Sequence, residues 1–211
     1  MRNLLIVFAF IITFAGWAHA GAYDDILAAA DKNETAAVVD LLKRGMDVNT
    51  TDRAGTTLLM IAARNGNLDL LQSLLNNRAS INRRNQFGDT ALLLAALNAR
   101  FNVAKLLMEK GAEVNPSSGW TPLHYAVFGG NQEILGLLIA RGAKLDARAP
   151  NGQTALMVAV KLGKLDFITM LIDADADMDL TDHEGVSALQ LARKLGQKEI
   201  AGYLRKVGAV E

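Results

Sequence analysis

A glycine recurs along this chain at nearly fixed spacing: Gly55, Gly88, Gly119, Gly152 and Gly185, at intervals of 33, 31, 33 and 33 residues. Two residues after each stands a hydroxyl: Thr57, Thr90, Thr121, Thr154 and Ser187. Two further on comes a leucine (Leu59, Leu92, Leu123, Leu156, Leu189), and three beyond that an alanine (Ala62, Ala95, Ala126, Ala159, Ala192). A multi-position pattern held at one period means a repeat architecture. Each copy is a small unit that cannot bury its apolar side alone and must stack on its neighbours.

The copy running from Gly119 to Asp146 shows what such a unit contains. Thr121 can cap a helix start with its hydroxyl, and Pro122 follows at the first helical position, where no backbone N–H is needed. Leu123 and Ala126 give a short buried face, and the small alanine lets neighbouring helices pack closely. Gly130 offers the left-handed conformation that closes the helix. A second helix is expected with Ile134, Leu137 and Leu138 on its inner face, Arg141 in its last turn and Gly142 at its end. Asp146 is expected to bond local backbone and start a turn. First helices close likewise at Gly66, Gly163 and Gly196, with Ala99 in the glycine's place once. Second helices close at Gly45, Gly111 and Gly208, while Arg78 and Asp175 replace the glycine in two copies.

The run Thr121-Pro122-Leu123-His124-Tyr125-Ala126 resembles the T-P-L-H-x-A signature of the ankyrin repeat. The other copies read TLLM, TALL, TALM and SALQ at the equivalent four positions. The resemblance extends from residue 21 to residue 211. It implies an all-α solenoid of about six helix-turn-helix repeats joined by β-hairpin-like loops. The repeats fall near residues 21–54, 55–87, 88–118, 119–151, 152–184 and 185–211. The first is degenerate: Ile26, Leu27 and Ala28 to Ala30 form one short helix, and Ala36 to Arg44 the second. Gln197, Lys198, Arg205 and Lys206 form the polar outer side of the last, as a terminal unit requires.

Residues 1–20 are a different kind of sequence. Arg2 precedes an almost wholly apolar run from Leu4 to Gly16, and Ala18-His19-Ala20 offers a small-x-small cleavage site before Gly21. This reads as a secretory signal peptide of Sec type, and hence as a periplasmic protein. A retained anchor is the alternative, although the apolar run is shorter than the ~20 residues a span needs. Removal of the leader takes away one Arg and no acid, leaving 21 basic against 22 acidic residues. So balanced a charge gives no general attraction to nucleic acid or to an anionic membrane. There is no cysteine, which rules out lipid attachment at the cleavage site, disulfides and thiol catalysis alike.

No catalytic fingerprint is present. Nothing matches G-x-S-x-G, H-E-x-x-H, a P-loop or a dinucleotide motif. His124 occupies the signature position at which, in the ankyrin family, the histidine bonds backbone and the capping threonine, a structural role. The acidic run of residues 173–184 places Asp173, Asp175, Asp177, Asp179 and Glu184 at the spacing of a calcium loop, but Met178 stands where that loop needs glycine. Lys43-Arg44 and Arg205-Lys206 end second helices, where cations complement the helix dipole. Asn33-Glu34-Thr35 matches a glycosylation acceptor formally, which carries no meaning in a bacterial periplasm. No cofactor or metal is expected.

The functional asset of such a solenoid is its extended concave face. In ankyrin proteins that face is made of hairpin tips and the exposed side of the first helices. Mapped onto this sequence, it offers Arg53, Arg83, Arg84, Phe87, Leu97, Trp120, Phe128, Arg148 and His183 as partner-binding residues. Phe87, Trp120 and Phe128 should cluster near its middle with Leu97 beside them. Arg53, Arg83 and Arg84 toward one end oppose Asp179, Asp182 and Glu184 toward the other. Thr57, Thr90, Thr121, His124, Thr154 and Ser187 are structural. The chain should then be a non-catalytic adaptor, monomeric alone, that binds a protein partner. Small secreted bacterial ankyrin proteins, which it resembles, imply support of a stress enzyme such as catalase. They equally imply an immunity protein that neutralises a toxin; an exported, host-directed effector is a further alternative.

Overall fold

The computed structural model describes residue 21 and residues 23–210; the expected leader, residues 1–20, lies outside the described residues. Among the described residues the chain forms helices without strands, in pairs. These are α1 (residues 23–31) with α2 (Thr35–Lys43), α3 (Leu58–Asn65) with α4 (Leu68–Asn76), and α5 (Ala91–Leu97) with α6 (Phe101–Glu109). Then come α7 (Pro122–Gly129) with α8 (Gln132–Ala140), α9 (Ala155–Lys161) with α10 (Leu165–Asp173), and α11 (Ala188–Lys194) with α12 (Lys198–Lys206). The first helices α3, α5, α7, α9 and α11 pack in one row, and α2, α4, α6, α8 and α10 in a second row over them. Isolated antiparallel bridges at Thr51–Thr57 and Thr181–Ser187 mark the hairpin-like loops.

The first helices are the core. Leu58 through Ala63 are all buried, and so are Ala155 through Val160. A helix apolar all round is one covered all round. α5, α7 and α9 are each sandwiched between the first helices of their neighbours and beneath their own second helix. The expectation of a narrow face at Leu123 and Ala126 is therefore too modest: Pro122, Leu123, His124, Ala126 and Val127 are all buried. Second helices bury one stripe only. In α8 that stripe is Ile134, Leu135 and Leu138, while Leu137 is half-buried. The inner face is thus rotated by part of a turn from the one expected, because α8 packs sideways on α6 and α10 as well as down on α7.

Starts and stops are local chemistry. The side chains of Thr57, Thr90, Thr121, Thr154 and Ser187 accept hydrogen bonds from the backbone N–H groups of Met60, Leu93, His124, Met157 and Gln190. Each satisfies a donor that the helix cannot pair internally. The closing positions lie in the left-handed region even where glycine is missing: Arg78 at φ 64°, Ala99 at 55° and Asp175 at 70°. Asn33, at φ 61°, does the same in the first unit, where the period gave no marker.

The units are joined by a ladder of side chains. Asn49 accepts from the N–H of Ser80, Asn82 from Glu113, Asn115 from Lys144, Asp146 from Asp177 and Asp179 from Val210, all at 2.8–2.9 Å. Asp146 thus serves the next unit rather than its own turn. These rungs also locate the short interval. From rung residue to tip glycine is six residues in four copies but four between Asn115 and Gly119, so the missing pair lies there.

A second ladder runs along the helix ends. Arg100 Nε donates to the carbonyl of Arg64, and Lys164 Nζ to that of Val127 at 2.6 Å. Both residues are N-caps of second helices that reach back to the open C-terminus of the preceding first helix. Gln197 holds the same place in the last unit. It is half-buried beside Gly163, not on the outer face as expected, and its Oε1 is buried without a hydrogen-bond partner among the described residues.

Candidate functional site

Because the first helices are buried along most of their length, they reach solvent mainly through their last turns. Leu97 and Phe128 are each 40% exposed, Leu162 43% and Leu195 47%. Large apolar groups therefore stand exposed at the ends of α5, α7, α9 and α11 in four consecutive units. Opposite them are the hairpin tips. A cleft of about 470 Å³ between Lys161 and Lys194 on the helix side and residues 182–184 on the tip side shows the two walls facing each other.

The aromatic group is centred on α7. Trp120 lies edge-on to Phe128, ring centroids 5.3 Å apart, and Phe128 is edge-on to Tyr125 at 6.5 Å. Edge-to-face geometry sets the positive rim of one ring against the negative face of the other. Trp120 is half-buried against the core, neither sealed behind its neighbours nor free at a tip. Phe87 does not join this group: it is 72% exposed on its own tip and makes no ring contact among the described residues. Tyr125 takes its place, a residue the sequence reading passed over. Its hydroxyl donates to Asp89 at 2.6 Å, and burial, then the carboxylate, raise its pKa. The signal was available: Tyr125 stands four residues after the capping threonine, where other copies carry Ile61 or Val158.

Leu97 flanks the aromatics because α5 and α7 approach unusually closely. A Cβ on Gly129 would lie 2.4 Å from the carbonyl oxygen of Ala96 and 2.6 Å from that of Leu97. Only glycine permits that approach.

His124 lies beneath Trp120, ring centroids 5.4 Å apart. Its Nε2 is 3.0 Å from the carbonyl of Gln153 in the next unit, and a carbonyl can only accept, so Nε2 carries the proton. Nδ1 then accepts from the N–H of Thr121 at 3.3 Å and pairs with its hydroxyl at 2.8 Å. Burial lowers its pKa to about 4, the Gln153 bond opposing in part. The imidazole is neutral and committed on both nitrogens.

The arginines are partly braces. Arg83 donates to the carbonyl of Asn49 at 3.3 Å, and Arg84 to that of Gly88 at 3.2 Å. Arg148, in the same repeat position as Arg84, donates to Gly152 at 3.2 Å and to Thr181 in the next unit. Arg53 is exposed. His183 is exposed, yet its ring and backbone lie where a Cβ on Gly152 would stand, so its tip rests on the preceding one. In the acidic run, Asp175 closes α10, Asp177 accepts from the N–H of Asp179, and Asp182 accepts from those of Glu184 and Val186. Turn N–H groups occupy the carboxylates of Asp177 and Asp182, and among the described residues no group of three or more acids or histidines is disposed to hold a metal ion. No described helix is long and apolar enough to cross a membrane.

The family model for ankyrin repeats (three copies) matches residues 26–118, 59–149 and 145–210. No curated protein gave a match. Among solved structures, a chain from the complex of the Bd0816 predatory endopeptidase of Bdellovibrio bacteriovorus with immunity protein Bd3460 is similar. It is 30% identical, with a TM-score of 0.78 over 86% of this chain and 97% of that one. With its paired helices, repeat-spanning caps and the family model covering nearly all described residues, the chain belongs to the ankyrin-repeat family.

Proposed function

We propose that this protein is a non-catalytic antagonist that binds and blocks another folded protein outside the cytoplasm, gripping it in the groove between hairpin tips and helix ends. The observation that carries the reading is the aromatic group at mid-groove: Trp120 and Phe128 in mutual contact, Tyr125 behind them and Leu97 alongside. Half-exposed aromatics on a rigid base make binding anchors, since little side-chain entropy remains to be lost. Ankyrin repeats are binding scaffolds, and a chain 30% identical over most of this one occurs in a complex of an endopeptidase with its immunity protein. That supports the antagonist reading over support of a stress enzyme such as catalase. The leader-like residues 1–20 support an extracytoplasmic site of action.

The test is inhibition. The purified protein is titrated against secreted endopeptidases of its own source, and the tightest complex is measured with Trp120→Ala. Loss of at least about 2 kcal/mol, some 30-fold in Kd, is expected for an anchor. Unchanged affinity removes Trp120 from the interface; a complex without inhibition leaves an adaptor and overturns the antagonist.

A further inference from the structure

The tripeptide Lys-Leu-Gly occurs twice, at residues 161–163 and 194–196, in the same position of adjacent units. The corresponding residues elsewhere are Arg64-Asn65-Gly66, Leu97-Asn98-Ala99 and Phe128-Gly129-Gly130. The structure sets the two copies side by side. Lys161 and Lys194 are the last residues of α9 and α11, both exposed, and both line the cleft of about 470 Å³. Leu162 and Leu195 follow as exposed C-caps.

Neither lysine forms an ion pair with another described residue. The ion pairs found among the described residues are Arg44–Asp40 and Arg64–Asp31, both in the first two units. Lysines in a last turn relieve the helix dipole, which would account for one such residue anywhere. It does not account for two lysines in register along one wall of a cleft whose other wall carries the opposite charge. There Asp182 is held by two turn N–H groups, and Glu184 is exposed and makes no ion pair among the described residues. Packed helices lie about 8–10 Å apart. Carboxylates two residues apart on one side of an extended chain lie about 7 Å apart, within the reach of two flexible lysines. The residue between them points the opposite way, toward Glu184.

We propose that this cleft is a second subsite, which takes an extended acid–base–acid segment of the partner protein. Its two carboxylates meet Lys161 and Lys194, its intervening cation meets Glu184, and its stems lie on Val186 and Leu191, the apolar lining of the cleft. The proposal rests on the protein-binding reading above, but not on Trp120.

The probe is an acetylated, amidated decapeptide of alternating glutamate and lysine, titrated into the isotope-labelled protein at low salt. Expected are shifts of the Gly163 and Gly196 amide resonances that saturate, with at least tenfold weaker binding to Lys161→Gln/Lys194→Gln. Expected too is loss of binding when glutamine replaces the glutamates of the peptide. A single-stranded oligothymidylate is the control. Equal binding of the oligonucleotide makes the lysines a general anion surface and overturns the proposal. So do shifts that persist in the double variant, or none at all. Either failure leaves the Trp120 test standing, so the two readings fail separately.

Discussion

Lys164 reaches across the boundary between two units to cap the helix of Val127. Its ammonium lies 2.6 Å from the Val127 carbonyl, 3.4 Å from that of Phe128 and 5.2 Å from the centre of the Phe167 ring. Desolvation lowers its pKa. A cation at an open helix C-terminus satisfies acceptors that the helix leaves unpaired. Replacing Lys164 with Met keeps the stem and removes the donor. It should lower stability by about 1 kcal/mol in urea unfolding. Arg100→Met should do the same through Arg64, and the two losses should add, since the sites share no partner.

The pH dependence follows from His124. Its folded pKa, about 4, lies below the ordinary value of 6.5. Between these values the unfolded chain binds the proton and the folded chain does not, so stability rises with pH across that window. Stability is complete above pH 6.5 and falls as pH drops toward 4, by on the order of 3 kcal/mol for this one group. In His124→Asn the slope of unfolding free energy between pH 4.5 and 6.5 should flatten, although the variant is less stable at neutral pH. A slope identical to that of the parent would show that other groups set it.

One substitution should act with opposite sign at two sites. Gly129→Ala places a methyl 2.4 Å from a backbone oxygen, which cannot move without separating α5 from α7. A loss of about 2–3 kcal/mol is expected, as for overpacking. Gly136→Ala, in the middle of α8, meets nothing nearer than 3.7 Å, the end of Met170. It should gain about 0.5–1 kcal/mol from helix propensity. Thermal melts of the two variants should move in opposite directions.

Arg78 and Ala99 hold left-handed backbone that glycine adopts without penalty. Arg78→Gly and Ala99→Gly should each stabilise by about 1 kcal/mol. Chemical unfolding of the double variant against the parent measures the sum.

These predictions also show where the sequence speaks clearly. The period of Gly55, Gly88, Gly119, Gly152 and Gly185 contains the fold, because each recurring residue does a job within its own turn or helix. Asp175 could be read as a left-handed stop because it replaces a helix-ending glycine and Asp tolerates that region, whereas Ala99 stood only as an exception to the pattern. What spans two units was harder to read. The rung from Asp146 to Asp177 looks in sequence like a local turn, since nothing marks its acceptor as facing the next copy. The aromatic group was half legible. Trp120 and Phe128 are neighbours on one helix entry, whereas Phe87 belongs to another tip whose direction the pattern does not fix. Tyr125 was passed over because the other copies carry aliphatic residues at its position, Ile61, Leu94, Val158 and Leu191.

The Asn and Asp rungs have one more consequence. Each of the first five copies hands one such bond forward to the next, so part of the chain's cohesion is held at the seams. A ligand lying across Trp120 and the Lys-Leu pairs would straddle two such joints at once, and would stiffen the rod lengthwise as it was seized.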